Sequence, residues 1–186
     1  MSRSVDLLKK RYLENIKEKP DLFVGVELEY PVVNLEGKAT DIEVVKELFR
    51  YLPSVLGFTI EKVDEFGNPI QLLNPVSQDT ILFEVSYTTI EFAFGRAKSI
   101  QEVEEHFRGY MDLIQKKLGE ANHAIIGSGI HPYWEKNANQ PVAYARYQML
   151  MAYLNLSRSK TNVDLHDYPQ YGAFICGSQV QLDVSK

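Results

Sequence analysis

In the stretch Gly25-Val26-Glu27-Leu28-Glu29-Tyr30 apolar and acidic side chains alternate. Residues two apart in an extended chain point the same way, ~6.5–7 Å from each other. Glu27 and Glu29 therefore share one face of a strand, and Val24, Val26, Leu28 and Tyr30 share the other. Two anions held side by side repel, so they need water or a cation between them. A hard divalent cation, its shell completed by phosphate oxygens, suits such a pair. The competing reading is an ordinary strand whose glutamates face solvent.

Two more segments carry the same chemistry. From Ile81 to Tyr87 the apolar residues are odd-numbered, whereas Ile90, Phe92 and Phe94 are even-numbered. One face collects both sets only if an extra residue or a turn intervenes near Ser86 to Thr89. A β-bulge does this, and bulges are common beside active sites. Such a bulge would bring Glu84 and Glu91 onto one surface. Near the C-terminus Val180, Leu182 and Val184 face one way, and Gln179, Gln181 and Asp183 the other. Solvated sheet faces normally mix Lys and Thr with Glu. Lysine is absent from all three polar faces, which favours a site for metal and a polar substrate.

The elements that must hold these faces follow from periodicity and caps. Val5, Leu8, Tyr12 and Ile16 recur at helical spacing behind Ser4, a candidate N-cap. Leu22 to Val33 reads as a strand. Asp41 can cap a helix carrying Ile42, Val45, Leu48, Phe49 and Leu52, stopped by Pro53. Phe58 to Val63 and Pro69 to Leu73 flank Asp64-Glu65-Phe66-Gly67-Asn68 as a hairpin. Ser99-Ile100-Gln101-Glu102 is a capping box opening a helix with Val103, Phe107, Tyr110, Met111, Ile114 and Leu118 inward, closed by Gly119. A short strand from His123 to Ile130, a helix from about Pro141 to Leu156 and an extended segment from Tyr171 to Val184 complete the chain. The predicted fold is α+β, a mainly antiparallel sheet with helices packed on one side, in a single domain over residues 1–186.

With 186 residues, 45% hydrophobic and 24% charged, the composition is that of a globular chain with a real core. Twenty basic against 25 acidic side chains give a net charge of -5, the wrong balance for a nucleic-acid partner. No apolar run approaches the ~20 residues that span a bilayer. The N-terminus has no uninterrupted signal-peptide core, so the expected location is the cytoplasm, with no membrane partner. Cys176 is the only cysteine, which excludes an internal disulfide framework and multi-cysteine metal sites.

Other chemistry-bearing residues carry less. Gly127-Ser128-Gly129 starts like a dinucleotide fingerprint, but the third glycine position is Pro132, and a strand-to-loop exit is the better reading. His106, His123, His131 and His166 show no metal-ligand spacing. His106, in mid-helix, is expected at the surface, and His131 either lines a pocket or serves a turn. Cys176 reads as a small core residue without an activating partner. Arg146, in a helix rich in aromatics and Met, either pairs with a substrate carboxylate or lies at the surface. No Ser–His or Cys–His arrangement suggests a nucleophile, and no catalytic side chain is predicted.

Together these segments resemble a known family. Phe23-Val24-Gly25-Val26-Glu27-Leu28-Glu29 resembles the opening Gly-x-Glu-x-Glu strand of glutamate–cysteine ligases (γ-glutamylcysteine synthetases) and their carboxylate–amine ligase relatives. Phe83-Glu84-Val85-Ser86, followed by Ile90-Glu91-Phe92, is similar to the family's Gln-x-Glu-Leu-Ser strand. The capped helix and the Gly-x-Gly-x-x-Pro stretch from Gly127 to Pro132 follow in the family's order. Cys176 to Asp183 looks like its later strand ending Gln-Val-x-x-Asp.

The resemblance implies a fold related to glutamine synthetase and an ATP-dependent ligase of glutathione biosynthesis. In that family ATP phosphorylates the γ-carboxylate of glutamate, and the amine of cysteine attacks the acyl phosphate to leave an amide. Magnesium ions bridge the phosphates. Carried over by motif, Glu27, Glu29 and Glu84 are the implied metal ligands, and Gln179, Arg146 and Glu91 lie on the substrate side. The small-molecule substrates implied are glutamate, cysteine and ATP, with Mg2+ as cofactor. Phosphoryl transfer of this kind needs positioning and charge neutralisation more than a nucleophile. Family members continue past the strand matching Tyr171–Val184, whereas this sequence ends at Lys186. The expectation is therefore an N-terminal half of a larger catalytic domain, with little turnover of its own. Two alternatives stay open: the same chemistry with another amine acceptor, and a non-catalytic binding module that keeps the sheet.

Overall fold

The computed structural model describes residues 3–14, 16, 18–160, 168 and 170–183, and for residues 155–160 the backbone alone. His166 and Val184 lie outside the described residues. The elements are α1 (Arg3–Leu13), β1 (Val24–Asn34), α2 (Ile42–Leu56), β2 (Thr59–Val63), β3 (Pro69–Leu73), β4 (Thr80–Phe83), β5 (Thr89–Ala93), α3 (Ile100–Gly119), β6 (His123–Ile125), α4 (Ala145–Lys160) and β7 (Ser178–Leu182). The fold is α+β. Its antiparallel sheet runs β2-β3-β4-β5-β1-β6, and β7 also pairs with β1.

Strand β1 organises the sheet. Residues 27–31 pair with β5, 32–34 with β6 and 24–28 with β7. One face is apolar and carries α2 and α3: Val26, Ile81, Phe83, Ile90 and Phe92 pack with Leu48, Phe49, Val103 and Ile114 in one buried cluster. Phe49 stacks on Phe83 at 3.9 Å between ring centroids, which fixes α2 over β4.

Caps and stops explain the helices. Asp41 accepts from the Glu43 amide at 2.9 Å, and Ser99 from the Glu102 amide at 3.3 Å. The Glu102 carboxylate reaches back to the Lys98 amide rather than to that of Ser99. Pro53 does not stop α2, which runs on to Leu56 and ends at Gly57 with φ 68°. Proline's φ is already helical, so only its own N–H is lost, and the left-handed glycine supplies the termination. Helix α1 starts at Arg3, so Ser4 is inside it, and it buries no residue. Among the described residues no helix is long and apolar enough to cross a membrane.

The phase break near Ser86 to Thr89 is a hairpin turn rather than a bulge. β4 and β5 pair antiparallel with Leu82 opposite Glu91, and Ser86 to Thr88 form the reversal. A reversal and an inserted residue shift the odd–even pattern identically, so the pattern alone does not separate them. Ser86, two residues on from Glu84 and in phase with it, does not share its polar face: it is buried, and its hydroxyl donates to the Ala173 carbonyl at 2.6 Å. The segment read as extended from Tyr171 begins instead with a 3-10 turn, Tyr171–Ala173, and becomes a strand only at Ser178. The strand expected to reach Ile130 is limited to His123–Ile125.

Candidate metal and substrate site

On the sheet face away from α2 and α3, register assembles the acidic residues. Glu29 stands opposite Glu91, and Glu27 opposite Ala93 on β5 and Gln179 on β7. Glu84, one residue beyond β4, is tied into the hairpin by its amide, which donates to the Thr89 carbonyl at 3.0 Å. Helix α4 borders this face. The result is a cavity of about 310 Å³ lined by Glu27, Glu29, Glu84, Glu91, Arg146 and Gln179, with Leu82, Tyr147 and Leu150 completing the wall. The structure thus brings together all six residues singled out in the sequence.

Within the cavity one oxygen from each of Glu29, Glu84 and Glu91 falls within 4.8 Å of the others. This trio takes in Glu91, read from the sequence as substrate-side, and leaves Glu27 farther along the wall. Three hard oxygen donors at this spacing fit a divalent cation with room for water or phosphate oxygens. Burial, then the neighbouring Glu84, pushes the Glu91 carboxyl up to about 8. Burial raises Glu84 as well, reinforced by Glu29 and Glu27 and opposed by Glu91 and Arg146. Burial and mutual repulsion outweigh Arg146 at these carboxyls, and a bound cation would supply the missing positive charge.

Backbone groups aim these carboxylates. The Gly177 amide donates to Glu29 Oε2 at 2.7 Å, and the Glu29 amide returns a bond to the Gly177 carbonyl at 2.9 Å. The Gly127–Pro132 stretch supports that segment from behind: the Cys176 amide donates to the Gly129 carbonyl, and the His131 amide to that of Phe174. Tyr147 pins α4 to the sheet by donating to the Phe83 carbonyl at 2.7 Å. Arg146 is exposed at the rim and is the one cation among the described lining residues.

The remaining candidates take structural places. His131 is fully buried, donating from Nε2 to the Val32 carbonyl at 2.9 Å and accepting the Tyr133 amide on Nδ1 at 3.1 Å. That network sets its tautomer, and burial pushes its pKa down. His123 is buried too and accepts the Asp41 amide at 3.0 Å. His106 is not a free surface residue: half-buried, it meets Asp79 at 2.8 Å. Burial pushes the Cys176 thiol up to about 12, which keeps it unreactive. Gln181 covers Gly25, and Asp183 accepts the Asp21 amide at 2.7 Å.

Tyr147 and Leu150 were not anticipated as lining residues. The aromatic- and Met-rich composition of the Arg146 helix was the one available signal. Comparison with curated proteins finds no match. Residues 23–186 match the model of Glutamate-cysteine ligase family 2 (GCS2), which spans every lining residue of the cavity. On that match, the chain belongs to glutamate–cysteine ligase family 2.

Proposed function

We propose that the chain serves an ATP-dependent ligase that activates the γ-carboxylate of glutamate as an acyl phosphate and joins it to the amine of cysteine. The observation that carries this reading is the convergence of Glu29, Glu84 and Glu91 on one point of a polar cavity. Mg2+ held there would offset phosphate charge. Glu29, fixed by the Gly177 amide, and Glu84, held at the hairpin, would be its most rigid ligands, with Glu27 beside them. Arg146 would pair with a substrate carboxylate or phosphate, and the Gln179 amide would hydrogen-bond glutamate opposite Glu27. Leu82, Leu150 and the Tyr147 ring would shield the reacting groups from water. None of these groups is a nucleophile, which agrees with chemistry run by positioning and charge neutralisation.

The described lining residues set four carboxylates against a single cation, so this chain alone should bind metal and nucleotide but turn over little. Calorimetric titration with Mn2+, then with ATP in its presence, tests the reading. Binding lost in Glu84→Gln supports it. A wild-type chain that takes up no divalent cation removes it and leaves the inert binding module.

A further inference from the structure

We infer that the hydroxyl of Tyr87 is a positioning group for the carboxylate face, acting through the backbone that carries Glu84 and through the start of α4. This rests on reading the carboxylates as cation ligands.

The residue after Glu84 is strained. Val85 has φ 58°, a left-handed conformation that a β-branched side chain adopts only when its surroundings force it. Such strain costs about 1–3 kcal/mol and persists where neighbouring structure over-determines it. Here the Val142 amide donates to the Val85 carbonyl at 2.7 Å, and the Ser86 amide to that of Glu84 at 2.6 Å. Val142 is fully buried. Its position is set in turn by Ala143, whose carbonyl accepts the Glu65 amide at 2.9 Å and whose amide donates to the Tyr87 hydroxyl at 3.2 Å.

The same oxygen donates to Asp64 Oδ2 at 2.7 Å. Buried Asp64 also collects the Phe66 and Asn68 amides and the Asn68 side chain, and so anchors the β2–β3 turn. A single phenol thus joins three segments distant in sequence: the turn, the hairpin loop that holds Glu84, and the approach to α4. Helix α4 begins two residues after Ala143 and presents Arg146 and Tyr147 to the cavity. Removing the hydroxyl leaves Asp64 its other three partners, so the fold keeps its turn. It leaves the Ala143 amide without its partner while the bond from Glu65 remains, and so loosens the clamp on Val85 and the first turn of α4. The Tyr87 ring stays held edge-on against Phe83 at 5.2 Å.

A second tyrosine–aspartate pair provides the control. Tyr110 donates to buried Asp79 at 2.6 Å, but neither residue lines the cavity. The experiment measures Mn2+ affinity by calorimetry and Tm by calorimetric scanning for wild type, Tyr87→Phe and Tyr110→Phe. Groups hydrogen-bonded directly to metal ligands typically contribute 10–100-fold in affinity, and Tyr87 acts further back through the backbone, so Tyr87→Phe should weaken Mn2+ by a few-fold, up to about tenfold. Tyr110→Phe should lose a comparable amount of stability while binding Mn2+ like wild type. Equal Mn2+ affinity in Tyr87→Phe and wild type overturns the inference alone, as does an equal loss in both variants. A wild type that binds no Mn2+ overturns the underlying reading, and this inference with it.

Discussion

Glu29 on β1 and Glu91 on β5 face each other across an antiparallel ladder, in direct register. Like charges so placed are destabilising, typically by 0.2–1 kcal/mol for a pair. Glu84 adds a third carboxylate within 4.8 Å. A fold that keeps this arrangement gives up stability in the metal-free state.

Glu91→Gln should therefore stabilise the metal-free protein near pH 9, where the carboxyls are ionised. For a chain of this size the expected gain in Tm is about 1–4 °C. The same variant should bind Mn2+ more weakly. Scanning calorimetry with chelator present checks the first effect, and a lower Tm for the variant would contradict the repulsion argument.

Divalent cation should stabilise the wild type in proportion to occupancy. A ligand at a hundred times its Kd adds about 2.7 kcal/mol, equivalent to roughly 5–10 °C here. Chelator should reverse the shift, and Glu84→Gln or Glu29→Gln should abolish it. A shift that survives both substitutions would move the cation away from this cavity.

Arg146→Ala should separate substrate from metal. Losing a charge-assisted hydrogen bond predicts roughly tenfold weaker glutamate binding in the presence of MgATP. Mn2+ affinity should hold or rise, because a cation leaves the rim. The reverse pattern, weaker Mn2+ with unchanged glutamate, would exclude Arg146 from substrate recognition.

Acid sensitivity should come in part from Asp79, at the far end of the sheet. Burial would raise its carboxyl, but the Tyr110 hydroxyl, the Gly95 amide and other partners outweigh that and hold it below the ordinary 3.8. A carboxyl depressed in the folded state stabilises at pH values above its unfolded pKa, and this contribution is lost as pH falls through the folded value. Asp79→Asn should lower stability at neutral pH by about 1–3 kcal/mol and flatten the fall in Tm below about pH 4. Parallel pH curves for the two proteins would assign the acid transition elsewhere.

Much of this was legible in the residues. Asp41 and Ser99 announced α2 and α3, and the alternation from Val26 to Tyr30 in β1 separated core from cavity. The break after Tyr87 was visible, but its form was not, because register depends on which strands pair. Glu91 could not be ranked as a partner of Glu29 without knowing that β5 lies beside β1. Tyr87 and Tyr110 read as apolar rings, since a hydroxyl partner such as Asp64 or Asp79 leaves no periodic signal. The apolar stripe of α1 was readable, yet Val5, Leu8 and Tyr12 are exposed, because amphipathic spacing does not specify what an element packs against.

Strand β1 sits between β5 on one edge and β6 and β7 on the other, and from Val26 to Tyr30 its side chains alternate between oil and acid. A slip of one residue in the pairing of β1 with β5 would swap these roles, driving Glu27 and Glu29 into the packed interior and turning Val26 and Leu28 out into the cavity. Folding and chemistry therefore fail together along this strand, with no half-way variant between them.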